Sequence, residues 1–507
     1  MEPNVLVITI DALRSDRVGA FGGRQLTPYI DELASESTIF TNAYSTTNTT
    51  DPAVTSIQTG RYPLSHGVVN HGRRVTSEEK QSVEQVQQLP QVLSVQGFRT
   101  AKFGRPLGRW HRNGFDRYPE RMESRIAFDE QEKEKDLLSK FGDLLERVHP
   151  TTKNIASTIY QPVSDLFGRS DDSLESYSEF DDWDNPGSDR VFQNFAEWLD
   201  SSSPFYAFVH LMDTHGPYTA PPDLIYEYLN RFNYPVDTAD FTGWEIPKAF
   251  HEQVLDGQYP DIREKYYYGD TPSTAIIDAS YDASVTVADT RVHHFLSELK
   301  ERGVYNDTLI VVLADHGESL TEHGIYYDHH GLYEVSTQIP LLIRPPGGCH
   351  DQFDDLVQIT DIAPTILSYI DHSSGLECDG HSLKSTIEKG EPVDRDVILA
   401  EEAHTQRRRM VLKDNQKLIH LVSGDTICRY CDIQHAHETE LYDLNDDPYE
   451  QKNRSTEQPE LADSLRSISN EKAEILSKNR PDIKTKAEMK YDDEEEVAKR
   501  LEALGYK

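Results

Sequence analysis

The sequence predicts an α/β fold: a large, mostly parallel sheet sandwiched by helices, followed by a small C-terminal antiparallel sheet. Three observations carry this expectation. Long apolar runs end in polar, chemically capable residues. Helical periodicity fills the stretches between them. Past Pro392 the pattern changes to short alternating segments.

The apolar runs come first. "NVLVITIDALRSD" climbs through Val5, Leu6, Val7, Ile8 and Ile10 to Asp11, "PFYAFVHLMDTHGPY" passes Phe208 and Val209 to reach Asp213 and His215, and "DTLIVVLADHGES" runs through Ile310, Val311, Val312 and Leu313 to Asp315 and His316. Near-continuous hydrophobicity over strand length marks strands buried on both faces, as in parallel sheets covered by helices. Ligands in such sheets bind at the carboxyl ends of the strands, so three strands deliver carboxylates and imidazoles to one edge. Between them, "DASYDASVTVADTRVHHFLSELKERG" places Val285, Ala288, Val292, Phe295, Leu296 and Leu299 at helical spacing, and Gly303 supplies a stop. Strand and helix alternating in this way argue for an α/β sandwich. "DVILAEE", "RRMVLKDNQKLIHL" and "TELYDLNDDPYEQKN" read as the strands of the small sheet, and the tail from Thr456 reads as charged helix. The expected organisation is a catalytic domain over residues 1–390, interrupted by insertions near 120–190 and 219–272, and a sheet subdomain with helical tail over 391–507.

Composition narrows the partners. Asp and Glu total 88 against 51 Lys and Arg in 507 residues, a formal charge of −37. Such a surface repels phosphate backbones, which excludes nucleic acid, and it suits either an ordinary acidic enzyme or a halophilic protein in a salt-rich cytoplasm. The four cysteines, Cys349, Cys378, Cys428 and Cys431, all lie in the last third, so disulfides are not expected to hold the fold. Cys428 and Cys431, with His435 and His437 following, have the spacing of a small zinc site; a lone CxxC reads more simply as two free thiols in a hairpin. The opening "MEPNVLVITIDALR" has no basic leader and its apolar run is too short to span a bilayer, which predicts a cytoplasmic chain without a membrane span.

The stretch "TNTTDPAVTSIQTGRYP" reads as a loop opening into a helix, with Thr50 near its start. Unpartnered N–H groups there favour anions, so an oxyanion would be held close to the Thr50 hydroxyl. On this stretch alone, a plain N-cap is the simpler reading. Asp11, Asp315 and His316 are oxygen and imidazole ligands of the kind that hold a divalent cation; taken singly each aspartate has a rival reading as a helix cap, but three converging strand ends favour the metal. His210, His293 and His294 lie inside strand or helix patterns and read as structural.

These segments resemble the sulfatase family of the alkaline phosphatase superfamily nearly end to end. "NVLVITIDALRSDRVGAFG" is similar to its metal-binding opening, "DPAVTSIQTGRYPLSHGV" to its nucleophile loop, and "GFRTAKFG" to its second strand. "FVHLMDTHGPY" matches the substrate histidine segment, and "ADHGESLTEHGIYYDHHGLYEVSTQIPLLIRPPG" the second metal segment. The resemblance implies an α/β sandwich with a small C-terminal sheet. It also implies a metal-dependent hydrolase of sulfate or phosphate esters acting on a small molecule or glycan.

The departures from the family pattern set the chemical question. Sulfatases carry Cys or Ser in a C/S-x-P-x-R signature converted to formylglycine; the alignment puts Thr50 at the nucleophile and Val54 where the Arg belongs. Threonine cannot become that aldehyde. Ala12 replaces a second aspartate, Arg105, Pro106 and Leu107 replace Lys-Trp-His, and His329 replaces a lysine. Threonine is the nucleophile elsewhere in the superfamily, in nucleotide pyrophosphatase/phosphodiesterases and phosphoethanolamine transferases. The resemblance thus implies catalytic roles for Thr50, His215 and His330, a metal on Asp11, Thr50, Asp315 and His316, and a second cation or substrate contact at Asp213 and His329. Zinc, manganese or magnesium suits that set better than calcium because of the histidine. Phosphate esters, diesters in particular, are the expected substrates. The alternatives are a true sulfuric ester hydrolase, a phosphoethanolamine-type transferase, or a sulfatase-like protein that binds without turnover.

Overall fold

The structure, a computed structural model, describes residues 2–119, 190–199, 204–216, 218, 220–233, 274–325, 327–371, 376–429, 434, 436 to 481. Most of both expected insertions, Cys431, His435 and the tail "EEEVAKRLEALGYK" lie outside the described residues.

The large sheet has eight strands: β1 (Asn4–Ile10), β2 (Thr38–Tyr44), β3 (Arg99–Gly104), β4 (Phe205–Leu211), β5 (Thr308–Ala314), β6 (Gln338–Ile339), β7 (Leu341–Arg344) and β8 (Asp351–Gln358). Their order is β3-β4-β1-β5-β7-β2-β6, with β8 also pairing β2. The run β3-β4-β1-β5 is parallel throughout, while β7 is antiparallel to both β5 and β2. The apolar runs read from the sequence are β1, β4 and β5, and they are adjacent. Each is buried almost end to end, because helices lie on both faces. The long helix Thr274–Glu301 presents Val285, Ala288, Val292, Phe295, Leu296 and Leu299 to the core, all buried, and Gly303 ends it in the left-handed region at φ 70°. Within the expected second insertion, Pro222–Arg231 is a helix tied to this long helix by Tyr228 OH and Thr286 Oγ1 at 2.6 Å.

The small sheet is an antiparallel meander of β9 (Ile398–Glu402), β10 (Arg408–Lys413), β11 (Gln416–Leu421) and β12 (Thr439–Asp443), in the order β12-β11-β10-β9. Strand alternation divides its side chains cleanly. Ile398, Ala400, Met410, Leu412 and Ile419 face Tyr44, Ile325, Leu332 and Tyr333 of the large unit, whereas Leu399, Val411, Leu418 and Leu441 face Leu465 and Leu476 of the helix Pro459–Lys478. A buried lysine fixes the joint: Lys417 Nζ lies 2.8 Å from both Glu334 Oε1 and Glu450 Oε1, while Tyr44 OH donates to Glu334 Oε2 at 3.0 Å. Among the described residues no helix is long and apolar enough to cross a membrane.

β3 carries two unusual constraints. Gly104, at φ 90°, packs so tightly on β4 that an added Cβ would lie 2.0 Å from the His210 carbonyl oxygen. Gly104→Ala should therefore cost on the order of 2 kcal/mol or more in denaturant unfolding, with strain and clash acting together. Lys102 is buried and donates to the Arg105 carbonyl at 2.6 Å; burial, followed by the Arg105 charge, pushes its pKa down to about 7 from 10.5. Between these values the unfolded chain binds a proton that the native lysine has released, so this residue makes stability rise with pH across that window. Comparing unfolding of wild type and Lys102→Met at pH 7.5 and pH 9.5 should show a smaller rise in the variant.

Candidate active site

The sheet register builds the centre. Ile10 of β1 pairs with Ala314 of β5, so the residues that follow, Asp11 and Asp315, emerge side by side. On the other flank Thr9 pairs with His210 of β4; paired residues in parallel strands share a face, and Asp11 lies two residues on from Thr9. His210 is therefore a diagonal neighbour of Asp11, its Nε2 3.2 Å from Asp11 Oδ2 and 3.9 Å from Asp315 Oδ2. His316 Nε2 stands 3.7 Å from Asp11 Oδ1 and 3.7 Å from Asp315 Oδ2. Its Nδ1 donates to the Gly317 carbonyl at 2.9 Å, which leaves Nε2 with a free lone pair.

Thr50 completes the group. It is the first residue of the helix Thr50–Thr59, whose N-cap, Thr49, makes no side-chain capping bond. The Thr50 hydroxyl instead donates to Asp11 Oδ2 at 3.2 Å and lies 3.3 Å from His316 Nε2. The plain N-cap reading of this loop is thus overturned: the side chain turns away from its own helix toward the strand ends. The first amides of this helix are largely spoken for: Asp51 N donates to His71 Nδ1 at 3.2 Å, Ala53 N to the Thr49 carbonyl at 3.2 Å, and Pro52 has no N–H.

Electrostatics are dominated by burying two carboxylates together. Burial alone would raise the Asp11 pKa, but the hydrogen bond from His210, and after it the His215 and His316 imidazoles nearby, hold it well below the usual range. Asp315 is pushed up, by burial first and by the Asp11 charge second. Asp11 Oδ1, Asp315 Oδ2 and His210 Nδ1 are buried without a hydrogen-bond partner. Ligand atoms of Asp11, His210 and Asp315 all lie within 4.8 Å of one another, and the expected ligand His316 stands beside this group, not in it. Buried anions and bare imidazole nitrogens aimed at one point fit a divalent cation.

The remaining predicted residues ring this centre. His329 packs its ring on His316, centroids 4.5 Å apart, and burial followed by the His316 charge depresses its pKa well below 6.5. His330 Nε2 lies 3.0 Å from Asp328 Oδ2, and its Nδ1 lies 3.6 Å from Cys428 Sγ. Cys428 is thus a buried thiol against the site loop; with Cys431 and His435 undescribed, the zinc reading of that segment stays an expectation. His215 follows β4, where its ring contacts the Gly216 carbonyl and its charge reaches Asp11. Asp213 faces Arg291, with Oδ1 3.2 Å from Nε, and stands outside the three-ligand group.

Two sets of residues escaped the sequence reading. His210, read as structural, belongs to the centre; its signal was a lone imidazole in the otherwise apolar "FYAFVHL" one strand from Asp11. His293 and His294 do pack structurally, on Tyr29 and Phe192. Next to Thr50, Asp51 is held between His71, whose Nδ1 is 3.0 Å from Oδ2, and His111, whose Nε2 is 3.4 Å from Oδ1. Burial opposes both imidazolium forms; the Asp51 charge outweighs it at His71, which is raised, and not at His111, which is lowered.

Comparisons with known proteins agree with this architecture. The Sulfatase family profile matches residues 3–372, and the profile for the N-sulphoglucosamine sulphohydrolase C-terminal region matches residues 321–477. An arylsulfatase of Clostridium perfringens is 24% identical over 505 residues, covering 92% of this chain and 94% of its own. Among solved structures, a protein in complex with its substrate D-glucosamine-2-N,6-O-disulfate superposes with a TM-score of 0.61 at 20% identity, covering 96% of this chain and 100% of that one. The phosphonate monoester hydrolase of Agrobacterium radiobacter does so with a TM-score of 0.59 at 20% identity, covering 94% and 95%. The chain belongs to the sulfatase family of ester hydrolases.

Proposed function

We propose that the chain hydrolyses phosphate esters, diesters in particular, with Thr50 as the nucleophile. One observation carries this reading: the Thr50 hydroxyl sits at a helix N-terminus within 3.2 Å of Asp11 and 3.3 Å of His316. A divalent cation held by Asp11, Asp315 and His316 would supply positive charge that lowers the hydroxyl pKa and neutralises an ester oxygen. The hydroxyl proton leaves toward Asp11 Oδ2, where it already points, as Oγ1 bonds to phosphorus and the bond to the departing alcohol oxygen breaks. His215 is the group we assign to protonate that oxygen, and His330, oriented by Asp328, the one to meet a non-bridging oxygen. Water then cleaves the phosphothreonine, restoring the hydroxyl and releasing a phosphate monoester.

The preference for phosphorus follows from what this site lacks. Oxidation of a threonine side chain yields a ketone, never the hydrated aldehyde that sulfatases use. Val54, where those enzymes have arginine, is buried in the core, and His329 occupies a lysine position with its own charge suppressed. Phosphoryl transfer through a loose transition state needs chiefly positioned donors and a cation. A second reading, hydrolysis of a sulfated sugar or aryl sulfate, is favoured by the relatives, whose names include arylsulfatase and a complex with a glucosamine disulfate.

Two measurements decide between them. Thr50→Ala should lower kcat on an aryl phosphodiester by roughly three orders of magnitude or more while leaving the thermal melt near wild type, and Thr50→Ser should retain part of the activity. Full activity in Thr50→Ala would mean that water attacks directly. A single aryl leaving group presented as sulfate, phosphate monoester and phosphodiester should give the highest kcat/KM for the diester; fastest turnover of the sulfate would establish the second reading instead.

A further inference from the structure

His210 is the least explained group in the molecule. It is 1% exposed, its Nδ1 has no hydrogen-bond partner, and its Nε2 meets only carboxylate oxygen, Asp11 Oδ2 at 3.2 Å and Asp315 Oδ2 at 3.9 Å. An ordinary core histidine satisfies at least one nitrogen, because an unpaired buried polar atom costs about 1–3 kcal/mol. The neighbouring polar atoms share the same deficit: Asp11 Oδ1 and Asp315 Oδ2 are also buried and unpaired. Other pairings at the centre are well made. Asp315 Oδ1 accepts from the Ala12 and His316 amides at 3.3 and 2.9 Å, and His316 Nδ1 has its carbonyl. His210 Nε2 therefore faces both carboxylates, 3.2 Å from Asp11 Oδ2, which also accepts from Thr50, and 3.9 Å from the unsatisfied Asp315 Oδ2. Atoms bound about 2.0–2.2 Å from one ion stand roughly 3–4 Å apart, the spacing seen here. β4 is also held in place to deliver this ring, since the bare Gly104 lets β3 close onto the His210 backbone.

We propose that His210 is a direct nitrogen ligand of the cation, grouped with Asp11 and Asp315, so that with His316 Nε2, 3.7 Å from each carboxylate, two imidazoles and two carboxylates form a site selective for zinc-like first-row ions over calcium and magnesium. The proposal rests on the reading that Asp11, Asp315 and His316 hold a divalent cation, and adds to it the residue that sets which ion. Imidazole suits zinc, copper, iron and nickel, whereas calcium and magnesium take oxygen ligands almost exclusively. With a single imidazole the donor set would be shared ground for hard and borderline ions; a second one tilts it.

Binding can be read without turnover. Full-length protein stripped with chelator is titrated with Co²⁺, following its visible d–d absorption, and then with Zn²⁺, Mg²⁺ and Ca²⁺ in competition, for wild type, His210→Ala, His210→Asp and Asp315→Asn. Circular dichroism of each stripped variant confirms that it is folded. The expected result is one Co²⁺ per chain in wild type, displaced by Zn²⁺ and not by millimolar Ca²⁺. His210→Ala should weaken Co²⁺ by about 100-fold or more and change its spectrum, and His210→Asp should let Mg²⁺ or Ca²⁺ compete. Loss of binding in Asp315→Asn, with affinity and spectrum unchanged in His210→Ala, would overturn the role of His210 while leaving the metal centre standing. Unaltered binding in both variants would overturn the centre itself.

Discussion

Everything at the active site follows from one electrostatic constraint: Asp11 and Asp315 are buried side by side at the ends of adjacent parallel strands. Two like charges in a low-dielectric interior repel strongly, and one carboxyl is driven toward its neutral form unless positive charge is brought between them. The surroundings are organised to supply it. Imidazoles from β4 and from the residue after Asp315 stand beside the carboxylates as nitrogen donors that could share a cation with them. The rigidity of β1 and β5, buried along their whole length, keeps the carboxylates from relaxing apart. That repulsion is what a cation held between the two carboxylates would relieve.

The small sheet is part of the same machinery. Glu401 donates its amide to the Thr46 carbonyl at 2.9 Å, just upstream of Thr50, and Glu402 accepts from the Gly331 amide at 3.1 Å. Asn48 closes the circuit by donating to the His329 and Gly331 carbonyls at 2.7 and 3.1 Å. The Thr50 loop and the histidine loop are thereby fixed to each other and to β9. Cys428 reaches His330 from the same subdomain.

Much of this was legible in the sequence, for definable reasons. Strands β1, β4 and β5 announced themselves because burial on both faces leaves an uninterrupted apolar run, and Asp11, Asp315 and His316 because polarity resumes abruptly at the strand end. The meander was readable from alternation, which Ile398, Leu399 and Ala400 obey residue by residue. His210 was not readable, since its role depends on the stagger between β4 and β1, and register between strands 200 residues apart leaves no mark on either one. Thr50 was ambiguous for a related reason: a capping threonine and one turned toward the strand ends look alike at a helix start, and only the tertiary position of Asp11 separates them. The clamp of His71 and His111 on Asp51 joins segments that have no periodic relation to one another.

The link from β9 to the Thr50 loop bears on how the molecule comes into being. A ribosome makes Asp11 and Thr50 almost at once, yet β1 waits for β4 and β5, and the loop before Thr50 waits for Glu401. About four fifths of the polypeptide must emerge before that loop has its last backbone partner. A nascent chain cut short at the end of the large sheet would already have β1, β4 and β5 to place Asp11, His210 and Asp315, while the loop before Thr50 would lack its backbone tie to Glu401.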